Sequence, residues 1–333
     1  MGGCYLGCNL SGLYDFSEAG ERGFQSGIEL LNSNGNRIDG TRVGTGNLIS
    51  GNVGVGGRIE GGRSNLVAGN LIGTDATETM GVANRFSGVW LTKGTSRNLV
   101  GGDDPGARNL ISGNSTGVTI ESSSENRVAG NVIGPNRSGT APLETKTEEE
   151  QFNGVGIPAG INNEILRNVL SANSGCGVTI YGGSRNLVSE NWVGVDVSGT
   201  NALGNGLSGV CLGPEADRGE KATANGISNN VLGANGPDGI LLSYSGSRQN
   251  TVVGNFISTD RSGTVNLGHA RYGVALLQGA SQNVIGEVAA GGGKRHRLQH
   301  AGWRAGGHQH QHAQPHPGQR DFREPRPRQR ARG

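Results

Sequence analysis

The fold this sequence predicts is an all-β parallel β-helix of about nine coils over residues 1–290, each coil built from three short strands. Three observations predict it. A hexapeptide, Asn-x-apolar-x-x-Asn, recurs down the chain: NLISGN at 47–52, NLVAGN at 65–70, NLISGN at 109–114, NRVAGN at 126–131, NLVSEN at 186–191 and NTVVGN at 250–255 among others. A second element, Gly-apolar-x-apolar, recurs at 27, 88, 117, 154, 177, 209, 239 and 273, with a degraded copy at 57 and intervals of 23 to 37 residues. Composition is the third. Gly is 63 of 333 residues, Pro only 10, and the hydrophobic fraction is 33%, which suits a thin, regular core; Gly does not fall on every third residue, so collagen is excluded.

Each unit carries Gly-apolar-x-apolar, then Asn-x-apolar-x-Gly, then Asn-x-Ile-x. All three alternate as strands do, with Gly, Asn and Asp at the corners, and none has a helical period. Stacked at the inter-strand spacing, nine coils make a rod on the order of 45 Å long. The recurrent Asn has a structural role at the corners. It tolerates left-handed φ, and its amide can bond its counterpart one coil away. Asn52, Asn70, Asn114, Asn131, Asn173, Asn191, Asn235 and Asn255 are such corners.

Charge separates the body from the tail. Residues 291–333 hold 10 Lys and Arg against 2 Asp and Glu, leaving 19 against 25 for residues 1–290. The body therefore offers no electrostatic case for nucleic acid. No stretch approaches the ~18 apolar residues of a membrane span. The start, MGGCYLGCNLSG, has neither the basic nor the apolar region of a signal peptide and already matches mid-coil wording, so the chain reads as a fragment lacking earlier coils. Cys4, Cys8, Cys176 and Cys211 are too few and scattered for a disulfide framework, with Cys211 outward on a strand and Cys176 at a corner. The tail contains HQHQHAQPH at 308–316, open to metal or generic nucleic-acid readings. A third reading is preferred. Shifted forward by one base, His and Gln codons restore the Asn-x-Ile pattern, so 291–333 reads as a disordered, low-complexity frameshift product.

The stretch GNLIGTDATETMG, continued by SGVWLTKGTSRNLVGGDDPGARNLISGNSTGVTI, resembles the right-handed parallel β-helix repeat proteins of the pectate-lyase-like superfamily, nearest the Asn/Gly-rich arrays of bacterial surface and secreted proteins. The resemblance covers about residues 4–290. It implies a right-handed helix and an extracellular or cell-surface location. Activity is left open, because the superfamily includes lyases, hydrolases, epimerases, phage tailspikes and non-enzymatic adhesins.

Several positions invite a site. Asn9, Asp75, Asn136, Asp196 and Asp260 fall 60 to 66 residues apart, every second coil, each opening a long loop. Spaced acidic oxygens suit calcium, but two-coil spacing is about 10 Å, too far to share an ion, so an Asx cap of each turn is preferred. Tyr5, Leu71, Val132, Trp192 and Phe256 form an outward apolar column that the loops 74–87, 196–207 and 260–271 are placed to cover; the alternative is a sugar-stacking ladder. Trp90 and Tyr181 point outward more plainly and are better carbohydrate contacts. Asp103 and Asp104 read as a solvated turn before Pro105, and His269, in LGHARYG, as a variant of the usual Leu-Gly-Asn corner. The acidic insertion 142–151 and the longer turn 213–225 read as solvated, second-rank binding candidates.

No catalytic constellation emerges: the one Asp-Asp has no Gly-His in the following coils, and neither Cys has a local base. The leading expectation is a non-catalytic scaffold binding polysaccharide or a cell-surface glycan, with no cofactor beyond the calcium alternative. The alternative is a polysaccharide lyase or C5-epimerase.

Overall fold

The computed structural model describes residues 3–8, 25–40, 45–145, 151–213 and 221–286. Asn9 and the basic tail lie outside these residues. The described chain is a right-handed parallel β-helix. Three nine-stranded sheets run its length, and every strand pairs in parallel with the equivalent strand one coil on. Sheet one runs from Tyr5–Leu6 to Phe256–Ile257 in two-residue strands. Sheet two runs from Ser26–Leu31 to Tyr272–Leu277 and has the longest strands. Sheet three runs from Arg37–Asp39 to Val284–Ile285. The three strand types match the three sequence elements.

Stacking in register places like residues on like. Sheet two carries Val89, Val118, Val155, Val178, Val210 and Ile240 down its inner face. Sheet one contributes Ile49, Ile72, Ile111, Ile133 and Leu170, and sheet three Val67, Val100, Val128, Ile165 and Val188, in one continuous core. Fully burying each such side chain contributes about 1.5–3 kcal/mol, so a core one residue deep from each side suffices because it repeats.

The corners are held by three polar ladders. The first climbs Asn36, Asn65, Asn98, Asn126, Asn163, Asn186, Asn225, Asn250 and Asn283. The second climbs from Asn47 through Asn70, Asn109, Asn131, Asn168, Asn191 and Asn230 to Asn255. The third includes Asn52, Asn84, Asn114, Gln151, Asn173, Asn205, Asn235 and His269. A repeating rung has one geometry. The backbone N–H and Nδ2 of Asn98 both donate to Oδ1 of Asn126, at 3.0 and 2.9 Å, while Nδ2 also donates back to the Gly62 carbonyl at 3.2 Å.

One expectation is corrected here. The eight corner asparagines read from the sequence do not take the left-handed backbone; the residue directly before each of those eight does. Gly69, Gly130, Glu190 and Gly254 precede Asn70, Asn131, Asn191 and Asn255 with φ of 67°, 70°, 60° and 69°. Turning the chain one residue early leaves the Asn amide aligned with the helix axis, where it meets the next rung. The acidic insertion is corrected in part as well. Its last residue, Gln151, is buried and serves as a rung, its Nε2 donating to Asn173 Oδ1 at 2.7 Å; residues 146–150 lie outside the described chain, as do 214–220.

His269 ends the third ladder, accepting the Asn235 N–H on Nδ1 at 3.1 Å. Burial lowers its pKa to about 4, against the pull of the nearby Asp238 carboxylate. The fold thus favours neutral His269. That contribution is complete above the ordinary value of 6.5 and is lost as pH falls toward about 4. Denaturation followed from pH 7 to 4 is expected to show a loss of up to about 3 kcal/mol at this group, flattened in His269→Asn, which keeps the acceptor without the proton. In mid-ladder, Asn131→Ala orphans the Asn109 N–H and leaves its Nδ2 only the Val67 carbonyl, and is expected to lower the unfolding free energy by about 3 kcal/mol. The same change at the part-buried last rung, Asn283, should cost about 1 kcal/mol, and equal costs in urea titrations would refute the ladder's role.

Candidate ligand-binding face

The outward side of sheet two is built from the longest strands of the rod. Its central column begins charged at Glu29 and Arg58, passes Trp90 and Thr119, drops to Gly156, and continues through Thr179, Cys211 and Leu241. Gly156 leaves a depression, since a Cβ there would meet nothing closer than 3.4 Å. One border carries Phe86, Phe152 and Leu207, with exposures of 64%, 51% and 41%. Backbone bonds run between them through Ser115 and Gly175, so they repeat every second coil, roughly 10 Å apart. Tyr181, 40% exposed, stands on the opposite border with its ring against Gly213.

The charged end is tightly paired. Arg58 bridges Glu29, at 2.9 Å, and Glu60, and Lys93 reaches Glu60 at 2.6 Å. The Lys93 hydrogen bond, with Arg58 beside it, holds the Glu60 carboxyl below its usual range. Trp90 is less open than its sequence position suggested. The Arg58 guanidinium sits 5.3 Å from its ring centroid, and its Nε1 donates to Glu121 at 3.2 Å. Four charged groups therefore converge, but as mutual counter-ions. None is poised as a neutral acid or an unpaired base for proton transfer.

The other expected positions resolve differently. Asp75, Asp196 and Asp260 are buried to within a few per cent and bind their own turns. Asp196 Oδ1 accepts Ser198 Oγ at 2.6 Å and the N–H groups of Thr200 and Asn201 at 3.2 Å, and Asp260 does the same with Ser262, Thr264 and Val265. Burial pushes these carboxyls up, but the turn's own donors outweigh it and the net shift is downward. Asn136 makes the same turn through Ser138 and Thr140. The loops then lie on the outward column of sheet one. Val197 packs with Leu110, Val132 and Val169, while Gly199 covers Trp192 so closely that a Cβ would stand 2.9 Å from its Nε1. Phe256 lies under Gly263 in the same way. Successive loops are joined directly, Val197 N–H to the Gly139 carbonyl and Arg261 N–H to that of Gly199, each 2.9 Å.

One reading is extended and one overturned. Asp103 and Asp104 are exposed in their turn, but Asp103 also accepts Arg127 at 3.2 Å and Arg167 at 2.5 Å, and Arg167 reaches on to Glu190 at 3.1 Å. The cysteines are not unconnected, since Cys176 and Cys211, 35 residues apart, form a disulfide on this face. Stacking, which brings adjacent coils together whatever their length, explains both. Cys8, by contrast, is a buried thiol whose pKa burial pushes up to about 11, leaving it unreactive.

Comparison with known proteins adds one family. Residues 107–203 match the family described as NosD, periplasmic copper-binding protein. Among solved structures, the chain is similar to the periplasmic alginate epimerase AlgG, at 18% identity and a TM-score of 0.43 over 76% of this chain and 48% of that one. It is also similar to an alginate lyase from Paenibacillus sp. strain FPU-7, at 13% and 0.48 over 77% and 85%, and to the Dettilon tailspike protein, at 18% and 0.46 over 80% and 54%. The chain thus spans about half the length of AlgG. No curated protein sequence matches it. The copper in the family's description finds no fitting donor set here: among the described residues no three His, Cys, Asp or Glu side chains are grouped to hold a metal.

The disulfide closes a loop of one full coil. Its removal in a Cys176→Ala/Cys211→Ala variant is expected to lower stability by about 4 kcal/mol on the chain-entropy estimate. Thiol titration of the unfolded, unreduced chain should find Cys4 and Cys8 alone; four reactive thiols would refute the bond.

Proposed function

We propose that this chain is an extracytoplasmic, non-catalytic scaffold that binds an extended glycan along the outer face of sheet two. The observation that carries it is the row Phe86, Phe152 and Leu207, exposed at two-coil intervals beside a hydroxyl-bearing floor whose charges cancel in pairs. Apolar C–H faces of successive sugars would rest on that row and on Tyr181, with Thr119 and the depression at Gly156 beneath. Trp90 would act as an edge of the floor, because Arg58 occupies its face. The Cys176–Cys211 bond favours an oxidising compartment, extracellular or periplasmic, as does the periplasmic description of the matched family. Among the described residues, no helix is long and apolar enough to cross a membrane.

We assign no calcium to Asp75, Asp196 or Asp260, because each carboxylate is taken up by its own turn.

Binding is tested by affinity electrophoresis through gels containing alginate, pectate, cellulose derivatives or mannan. Retardation by at least one polymer is expected, weakened several-fold by Phe152→Ala and Tyr181→Ala and unchanged by chelation. Retardation by none of them would remove the reading. Ultraviolet absorbance of unsaturated uronates, formed from alginate or pectate, would instead establish the lyase alternative, and proton exchange at C5 the epimerase.

A further inference from the structure

We propose that a cavity on the opposite side of the rod, at the corner between sheets three and one, is a subsite for one neutral hexopyranose ring. It encloses about 380 Å³ and is lined by Asp103, Asp104, Arg108, Arg167, Glu190 and Trp192, within the size range of small-ligand sites. It is separate from the face of sheet two and does not depend on that assignment.

A pyranose offers an apolar C–H face and a rim of hydroxyls, each both donor and acceptor. Its site needs an aromatic wall beside planar polar groups held still before binding. Trp192 provides the wall, and the loop over Gly199 clamps its Nε1 edge. Arg167 is fixed from two sides by Asp103 and Glu190, and Asp103 is fixed again by Arg127. Arg167 and Glu190 occupy left-handed corner positions, at φ 53° and 60°, that other coils fill with Gly69, Gly130 and Gly254. The corner thus forgoes its easiest residue for a preorganised ion pair.

Bonding capacity remains for a ligand. Arg108 donates only its Nε, to the Gly130 carbonyl at 3.3 Å, and its four other N–H groups and the Asp104 carboxylate have no partner among the described residues. Glu190 meets Arg167 through Oε2 alone. Three carboxylates face Arg108 and Arg167, with Arg127 behind, so the cavity is close to neutral and gives an anion no advantage. Mixed donors and acceptors beside an indole describe an uncharged sugar.

The test titrates the full chain with the methyl glycosides of glucose, galactose and mannose, and with methyl glucuronide, following the indole N–H resonances of Trp192 and Trp90. Trp192→Phe assigns the first. At least one neutral glycoside is expected to move Trp192 and leave Trp90 in place, with affinity falling at least about tenfold in Arg108→Ala and in Arg167→Met. Arg108 is exposed, so its variant reports on binding even if Arg167→Met melts early. No shift with any neutral glycoside, stronger binding of the glucuronide, or a shift unaltered in Arg108→Ala would each overturn the proposal.

Discussion

A coil of this rod cannot complete its own hydrogen bonds. Strands of two, three and six residues leave every N–H and carbonyl pointing along the axis, and only the neighbouring coil can receive them. At the corners, where the backbone turns out of register with its neighbour, a side chain must take over. Asn suits the place because one amide both accepts and donates at nearly the same height. Leaving such a buried group unpaired costs about 1–3 kcal/mol, repeated at three corners per coil, which is why the ladders tolerate so few other residues. Those that do enter, Gln151 and His269, still present an acceptor where Asn Oδ1 would be.

The surface is arranged by the same stacking. Because equivalent residues stand one above another, chemistry on the outside accumulates in columns rather than in clefts. Counter-ions are recruited from coils above and below, as with Glu29, Arg58, Glu60 and Lys93. Loops can only spread where the coil allows an insertion, and here they leave every second coil at Asp75, Asn136, Asp196 and Asp260, each closing on itself before lying over an apolar side chain. The aromatic beneath and the glycine seven residues later belong together: Trp192 with Gly199, Phe256 with Gly263. Where Leu71 takes the aromatic's place, Glu78 can stand in the glycine position, still with left-handed φ.

Much of this was legible in the sequence, because the repeat announces both the coil and its inward residues. The reading of His269 as a corner variant rested on the Leu-Gly-Asn it replaces, and the loop cover over Trp192 on the apolar column beneath it. Contacts between coils were harder to see. Intervals of 23 to 37 residues hide which side chains meet, so the Cys176–Cys211 bond, the Asp103–Arg167–Glu190 chain and the Arg58–Trp90 contact stay invisible until the units are aligned. Aligning them on Gly-apolar-x-apolar sets Trp90, Thr119 and Cys211 in one column, but the degraded copy read at 57 is one residue out of register, since Gly57 pairs with Val89 and Arg58 with Trp90. The left-handed residue ahead of most rungs had no such signal, since Gly, Glu, Arg and Ala all fill it.

The rungs also have a direction. Each Asn gives its N–H and Nδ2 to the following coil and accepts from the preceding one on Oδ1, across gaps in sequence that run from 22 to 39 residues. A coil is therefore an interchangeable part with a fixed plug and socket. As far as the ladders are concerned, a coil added or removed would leave the coils on either side the same connection. The loops, joined across every second coil, and the Cys176–Cys211 bond set a longer unit of two coils on the outside of the rod.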